Sequence, residues 1–146
     1  MKPDELKCFA LLAEFSDADR EALVDVLDVK NLTNGKSIFR EGSEGEGLVL
    51  LVKGELKLTS KRHGDDLGSL KAPYHLGAVS LFSVGKREVT AVADGPCKLW
   101  LLPRAGLSRL AEDAPRAAFR LAEAAATELA VLTRQGLDAL AEQDPS

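Results

Sequence analysis

Cysteine, histidine and positive charge are all scarce in this chain, and each scarcity removes a class of explanation. The 146 residues hold two cysteines, Cys8 and Cys97, with no C-x-x-C and no cysteine-histidine cluster. A four-cysteine iron-sulfur site is thereby excluded, and a disulfide framework is the poorer fit. Cys8 falls in a predicted helix and Cys97 in a predicted strand; two isolated, buried thiols suit the reducing cytoplasm. The histidines are His63 and His75, and neither Ser80 nor Ser83 has an assembled histidine-acid partner. No catalytic residue and no metal ligand is assigned. No apolar run reaches the roughly 18 residues of a membrane span, and the opening M-K-P-D-E-L-K lacks the apolar core of a signal peptide. The formal net charge of -4 argues against nucleic acid as a partner, since phosphate backbones are held by clustered Lys and Arg. Lys61-Arg62-His63 and Lys86-Arg87 are too small to reverse that balance.

What is present suits one domain with a sizeable core: a hydrophobic share of 45% in a chain of this length. Residues 1–28 read as a helical lead-in. Phe9, Leu12 and Phe15 recur at helical spacing, and Ser16 with Asp19 makes a capping-box start for a second helix carrying Leu23, Val24 and Leu27. From 29 to 103 the pattern changes to short apolar pieces between glycine turns. Asn34-Gly35 between apolar runs predicts a hairpin turn, Leu48 to Val52 a buried strand, and Leu56 to Thr59 a half-exposed one. About eight short strands, with no helix long enough for parallel crossovers, predict a mainly β sandwich or roll with flanking helices.

Residues 104–146 read as C-terminal helices. One runs from Arg104 to Glu112, and Pro115 suits the first turn of another. From there Ala118, Leu121, Ala125, Leu129, Leu132, Gly136 and Leu140 share one face. Either the stripe packs on the roll or it pairs with a second copy. Gly136, costing about 1 kcal/mol against alanine in a helix, is easier to explain by close helix contact.

The chain is organised around Tyr74 to Ala93, Y-H-L-G-A-V-S-L-F-S-V-G-K-R-E-V-T-A-V-A. An extended segment meets Gly77, turns through Ala78 to Phe82, passes Gly85 and re-enters a strand behind Lys86-Arg87. Turn amides with an arginine brought back beside them form an anion cradle. This stretch resembles the phosphate-binding cassette of the cyclic-nucleotide-binding domain family, of the catabolite activator and protein kinase A regulatory-subunit type. N-G-K-S-I-F-R-E-G-S and L-V-L-L-V-K-G-E-L-K-L resemble the family's preceding strands through Gly35, Gly42 and Gly54, and L-P-R-A-G-L-S-R-L resembles its strand-to-helix junction.

The resemblance implies an eight-stranded double-stranded β-helix, or jelly roll, with C-terminal helices. It implies Gly77, the amides of Ala78, Val79 and Ser80, and Arg87 around a cyclic phosphate, with the last helix near Thr127 closing over the base. Two positions depart from the family pattern: its glutamate, which accepts the ribose 2′-hydroxyl, is Ala78, and its small residue after the arginine is Glu88. A lost charge-assisted hydrogen bond costs about 1.5 to 3 kcal/mol, and a carboxylate about 4 Å from a phosphate repels it by up to about 4 kcal/mol at an effective dielectric near 20. Glu88 escapes this if it turns to solvent; alternatively it lies on Arg87 or Lys86 as an internal anion. His75 stands where a haem-binding relative offers a ligand, without a second ligand beside it.

The expectation is a stand-alone cytoplasmic regulatory domain in which ordinary cyclic AMP or cyclic GMP binding is weak or lost, or another anionic effector is taken. The alternative is a constitutive protein-interaction or dimerisation module using the roll as scaffold. Partners are a second copy through the C-terminal helix, or another protein, with no nucleic acid and no membrane. A helix-turn-helix would need several tens of further residues, with a basic recognition helix, so DNA binding by this chain is not expected. Both a complete domain and a piece of a longer protein fit.

Overall fold

The computed structural model describes residues 1–44, 47–62, 64–82 and 85–143, with backbone only for Val79. Eight strands form two antiparallel sheets of four. The first orders β1 (Asp28–Leu32), β8 (Cys97–Pro103), β3 (Gly47–Lys53) and β6 (Tyr74–Leu76). The second orders β2 (Ser37–Phe39), β7 (Thr90–Ala93), β4 (Glu55–Ser60) and β5 (Gly64–Lys71). The chain is therefore a jelly roll with helices at both ends.

The unbroken apolar run in β3 has a simple cause. Leu48 and Leu50 face the helices together with Trp100 and Leu102 of β8, whereas Val49 and Leu51 face the other sheet with Leu99 and Cys97. Both faces are covered, so both carry apolar side chains, each contributing about 1.5 to 3 kcal/mol when fully buried. β5, at the edge of the second sheet, is exposed along nearly its whole length.

The Asn34-Gly35 turn forms, with Lys36 N donating to Thr33 O at 3.2 Å and Gly35 at φ +84°. It does not make a hairpin. β1 pairs with β8 and β2 with β7, so the turn carries the chain from one sheet to the other. The residues His63-Gly64-Asp65 also read as a turn in the sequence; His63 lies outside the described residues, and Gly64 and Asp65 belong to β5.

The lead-in is more tightly wound than helical spacing predicts: two 3₁₀ segments, Pro3–Cys8 and Ala10–Leu12, precede α1 (Asp17–Val24). The capping box is present, Asp19 N donating to Ser16 Oγ at 3.1 Å and Ser16 N to the Asp19 carboxylate at 3.0 Å. A 3₁₀ turn repeats every three residues, which sends Leu6 and Phe9 inward, Phe9 against Trp100 with ring centroids 6.2 Å apart. Cys8 consequently faces solvent instead of the core, while Cys97 is buried as expected. Partial desolvation, ahead of the charge of Glu5, pushes the Cys8 thiol up.

After β8 come α2 (Arg104–Asp113) and α3 (Pro115–Gln143), the latter 29 residues long with proline at its start. Gly106 lets α2 sit on β8, since a Cβ there would lie 2.8 Å from Leu102 Cδ1. Ala117, Leu121 and Ala125 of α3 are buried on the body. Beyond them the same stripe emerges: Leu129 is 49%, Leu132 55% and Leu140 65% exposed, with Leu137 beside it at 61%. Gly136 has open space around it. Two polar contacts hold the root of α3, Arg120 Nε to Asp19 Oδ2 at 3.0 Å and His75 Nε2 to Glu128 Oε1 at 2.7 Å. Among the described residues no helix is long and apolar enough to cross a membrane.

Candidate ligand site

Arg87 is fixed first by its backbone. The loop after β2 runs antiparallel to it: Gly42 N donates to Arg87 O at 2.8 Å and Arg87 N to Ser43 O at 2.7 Å, with Glu44 bridged to Lys86. Glu41 anchors that loop, its N–H donating to Thr90 Oγ1 at 2.9 Å and its carboxylate accepting from Lys61 N at 3.1 Å and from the Ser60 hydroxyl. These contacts fix where the arginine side chain starts.

Among the described residues, Gly47, Phe39 and Gly77 help to place the guanidinium. Nη2 donates to Gly47 O at 3.0 Å, and the carbon of the group lies 4.3 Å from the centroid of the Phe39 ring, a cation–π contact. Nη1 lies against Gly77. A Cβ on Gly77 would collide with Nη1 and come within 2.9 Å of Gly47 O, and its φ of +77° is itself unfavourable for other residues. Gly47 is constrained as well, since a Cβ there would collide with Leu102 O across the sheet.

Arg87 faces a cavity of about 390 Å³ between the sheets. Among the described residues its apolar lining includes Ile38, Phe39, Val49 and Leu101, together with Leu48, Leu102 and Pro103, and its polar lining besides Arg87 is Asp28, Lys30, Ser43 and Glu44. One cationic group over an aromatic floor, next to a tight glycine turn, suits a small anion with an apolar body.

The structure brings Gly77 and Arg87 together, but among the described sequence-predicted residues Arg87 alone lines the cavity. Ala78 opens a four-residue 3₁₀ turn, Ala78–Leu81, and is 3% exposed in the apolar cluster beneath the helices. An Ala78→Glu substitution would set a carboxylate among those side chains. Ser80 closes the turn by donating its N–H to Gly77 O at 2.9 Å, and its carbonyl accepts from Arg104 Nε at 2.9 Å. The side chain of Val79 lies outside the described residues. Glu88 is exposed. Thr127 is also exposed, bonded to Glu123 O at 2.9 Å, and borders a second depression of about 460 Å³ between the stretch around Leu11 to Phe15 and α3, with His75 and Glu128. Among the described residues no cluster of three or more His, Cys, Asp or Glu side chains could hold a metal.

Phe39, Gly47, Asp28 and Lys30 escaped sequence reasoning. A signal for the last two was present: in D-V-K-N-L, positions 28, 30 and 32 alternate onto one face of a strand.

Two antiparallel sheets rolled around an arginine-lined cavity, with helices on one face, define a jelly-roll domain of regulatory type. A profile described as cyclic nucleotide-binding domain matches residues 29–114, more than half of the chain, and the chain belongs to that family. It is 33% identical over 107 residues to a cAMP-dependent protein kinase regulatory subunit of Eremothecium gossypii, covering 73% of this chain and 23% of that protein. Among solved structures it is similar to the N-terminal domain of a transcriptional regulator from Streptomyces coelicolor A3(2), with TM-score 0.74 and 28% identity over 88% of this chain and 91% of that one. It is also similar to the Thermus thermophilus catabolite activator protein, with TM-score 0.73 and 26% identity over 90% of this chain and 62% of that one. The chain spans under a quarter of the length of the curated relatives it matches.

Proposed function

We propose that the chain is a cytoplasmic, non-catalytic regulatory domain whose roll takes a small anion of the cyclic-nucleotide kind at Arg87, weakly, and whose helices pass the occupied state to a partner. The observation that carries this reading is the arginine itself: stacked on Phe39, seated on a bare glycine and facing a cavity of about 390 Å³. That volume lies within the range of small-ligand pockets. Exposure of Glu88 favours the solvent-turned escape from repulsion. Ala78 still offers no acceptor, and the missing charge-assisted bond costs about 1.5 to 3 kcal/mol, one to two decades of affinity.

Gly77, the amides of Ala78 and Val79, and Arg87 are the groups assigned to the phosphate; the Ser80 amide, already donated to Gly77 O, is not among them. Arg104 holds Ser80 and Glu128 holds His75, so movement of the turn on either side of Gly77 reaches α2 and α3. The regulatory-subunit and activator relatives support the assignment by likeness. Calorimetric titration with cyclic AMP and cyclic GMP up to millimolar concentration tests it. Binding at roughly tenth-millimolar to millimolar Kd that vanishes in Arg87→Ala is the expected result. No heat and no thermal stabilisation at millimolar ligand would reject nucleotide sensing.

A second reading is a constitutive dimerisation module, favoured by the exposed leucines of α3 from Leu129 onward. Here the partner is a second copy, and sedimentation velocity decides. A dimer whose affinity is unchanged by cyclic nucleotide, in a protein that binds none, would establish this reading over the first.

A further inference from the structure

The cavity at Arg87 has a wall that the cassette does not supply. The strand register pairs Asp28 with Leu101 and Lys30 with Leu99. Directly paired residues on adjacent strands project from the same face of a sheet. Leu99 and Leu101 face the opposite sheet, and Leu32, two residues beyond Lys30, is buried there. Asp28 and Lys30 thus project from an edge strand toward the space between the sheets, and both line the cavity. Ser43 and Glu44 line it too, from the loop that fixes the backbone of Arg87. Among the described residues the side chains of Asp28, Lys30 and Glu44 make no hydrogen bond or ion pair within the chain.

We infer that this wall, and not the cassette turn, selects the ligand, with Asp28 and Glu44 accepting hydrogen bonds from hydroxyl or amino groups of an anion held at Arg87. Among the described residues the lining carries two cations, Lys30 and Arg87, and two carboxylates, Asp28 and Glu44. A bare anion gains from the first pair and is repelled by the second. An anion with donors on its body gains from all four, because carboxylates accept and never donate when ionised. The ligand class is a sugar-phosphate or nucleotide type of anion. The inference rests on the assignment of this cavity to an anion, and it moves selectivity away from Ala78, which is buried among the helix-facing side chains. Inward-pointing charge on an edge strand also discourages pairing with other chains. That role accounts for the edge strand β1 but not for Glu44, which lies in the loop after β2 and is bridged to Lys86.

The test is titration of the full chain, Asp28→Ala, Glu44→Ala and the double variant with four probes: cyclic AMP, its 2′-deoxy analogue, inosine 3′,5′-cyclic monophosphate and inorganic phosphate. Unsubstituted protein is expected to favour cyclic AMP over at least one nucleotide analogue roughly tenfold, about 1.4 kcal/mol, and over phosphate by more. One of the carboxylate variants brings the analogue ratio to within about twofold while nucleotide binding persists. Both positions are exposed, so unliganded melting midpoints should stay close to the parent's; Asp28→Asn and Glu44→Gln replace the alanines where they do not. Analogue ratios unchanged in all variants, no distinction among the nucleotides in the parent, or phosphate binding as tightly as nucleotide would overturn the inference while leaving Arg87 as the anion site. Failure of all four probes to bind overturns the inference together with the assignment beneath it.

Discussion

The root of α3 and its outer half carry one apolar repeat in opposite surroundings. Ala117, Leu121 and Ala125 are closed under the lead-in helices and the roll, whereas Leu129, Leu132, Leu137 and Leu140 stand half to two-thirds exposed. Nothing in the spacing changes between them; what changes is the body beneath, which α3 outruns. The periodicity therefore encodes a helix with a continuous sticky face, and only its first turns are spent on the fold. The remainder is exposed, so the packing interpretation of the stripe holds for its first half, and pairing is a proposal for the second.

The comparison is sharpened most by Leu121→Ala. A fully buried leucine truncated to alanine should cost about 2 to 5 kcal/mol in urea unfolding; a loss below about 1 kcal/mol would mean the root is not closed. Next in size is Arg120→Ala, which strands the buried Asp19 carboxylate while its capping bond to Ser16 remains. Unfolding should be easier by roughly 1 to 3 kcal/mol. Glu128→Gln, at the partly exposed contact with His75, is expected to remove only about 0.5 to 1 kcal/mol. Its informative readout is hydrogen exchange, which should rise in the turns of α3 beyond Glu128 and not in β3. Smallest is Leu137→Ala, which should leave monomer stability within about 0.5 kcal/mol. If it destabilises a dilute monomer as Leu121→Ala does, the division of the helix is wrong. Leu129→Glu with Leu132→Glu separates stability from association: any self-association seen by sedimentation should weaken at least tenfold with little change in the unfolding of the monomer.

The glycine register made the roll legible, because Gly35, Gly42, Gly54 and Gly77 all hold positive φ at turns where other residues are strained. The cue at Asn34-Gly35 fixed the turn but not the sheet that the next strand joins, since local turn chemistry is indifferent to a pairing set by β7 and β8. Cys8 was misplaced because a helical period was laid over a 3₁₀ segment. At the site, Gly77 and Arg87 could be read in advance from the cassette pattern. Phe39 and Gly47 could not, because their contacts with Arg87 span 48 and 40 positions of sequence (87 − 39 and 87 − 47) and depend on how the sheets close. Asp28 and Lys30 hid behind their charge: alternation placed them on an inner face, but charged residues do not register as inward in a hydrophobic pattern.

The length of α3 has a mechanical consequence. From Leu121 to its last turn the helix rises about 33 Å, so a tilt of roughly 10° at the root swings the tip about 6 Å. Under the proposed function the helix would work as a lever rooted beside the cassette, its gearing set by residue count. A rearrangement at the turn of Gly77 too small to disturb the roll's core would then still be large at the exposed Leu137 and Leu140, and trimming the helix by two turns would reduce that stroke in proportion.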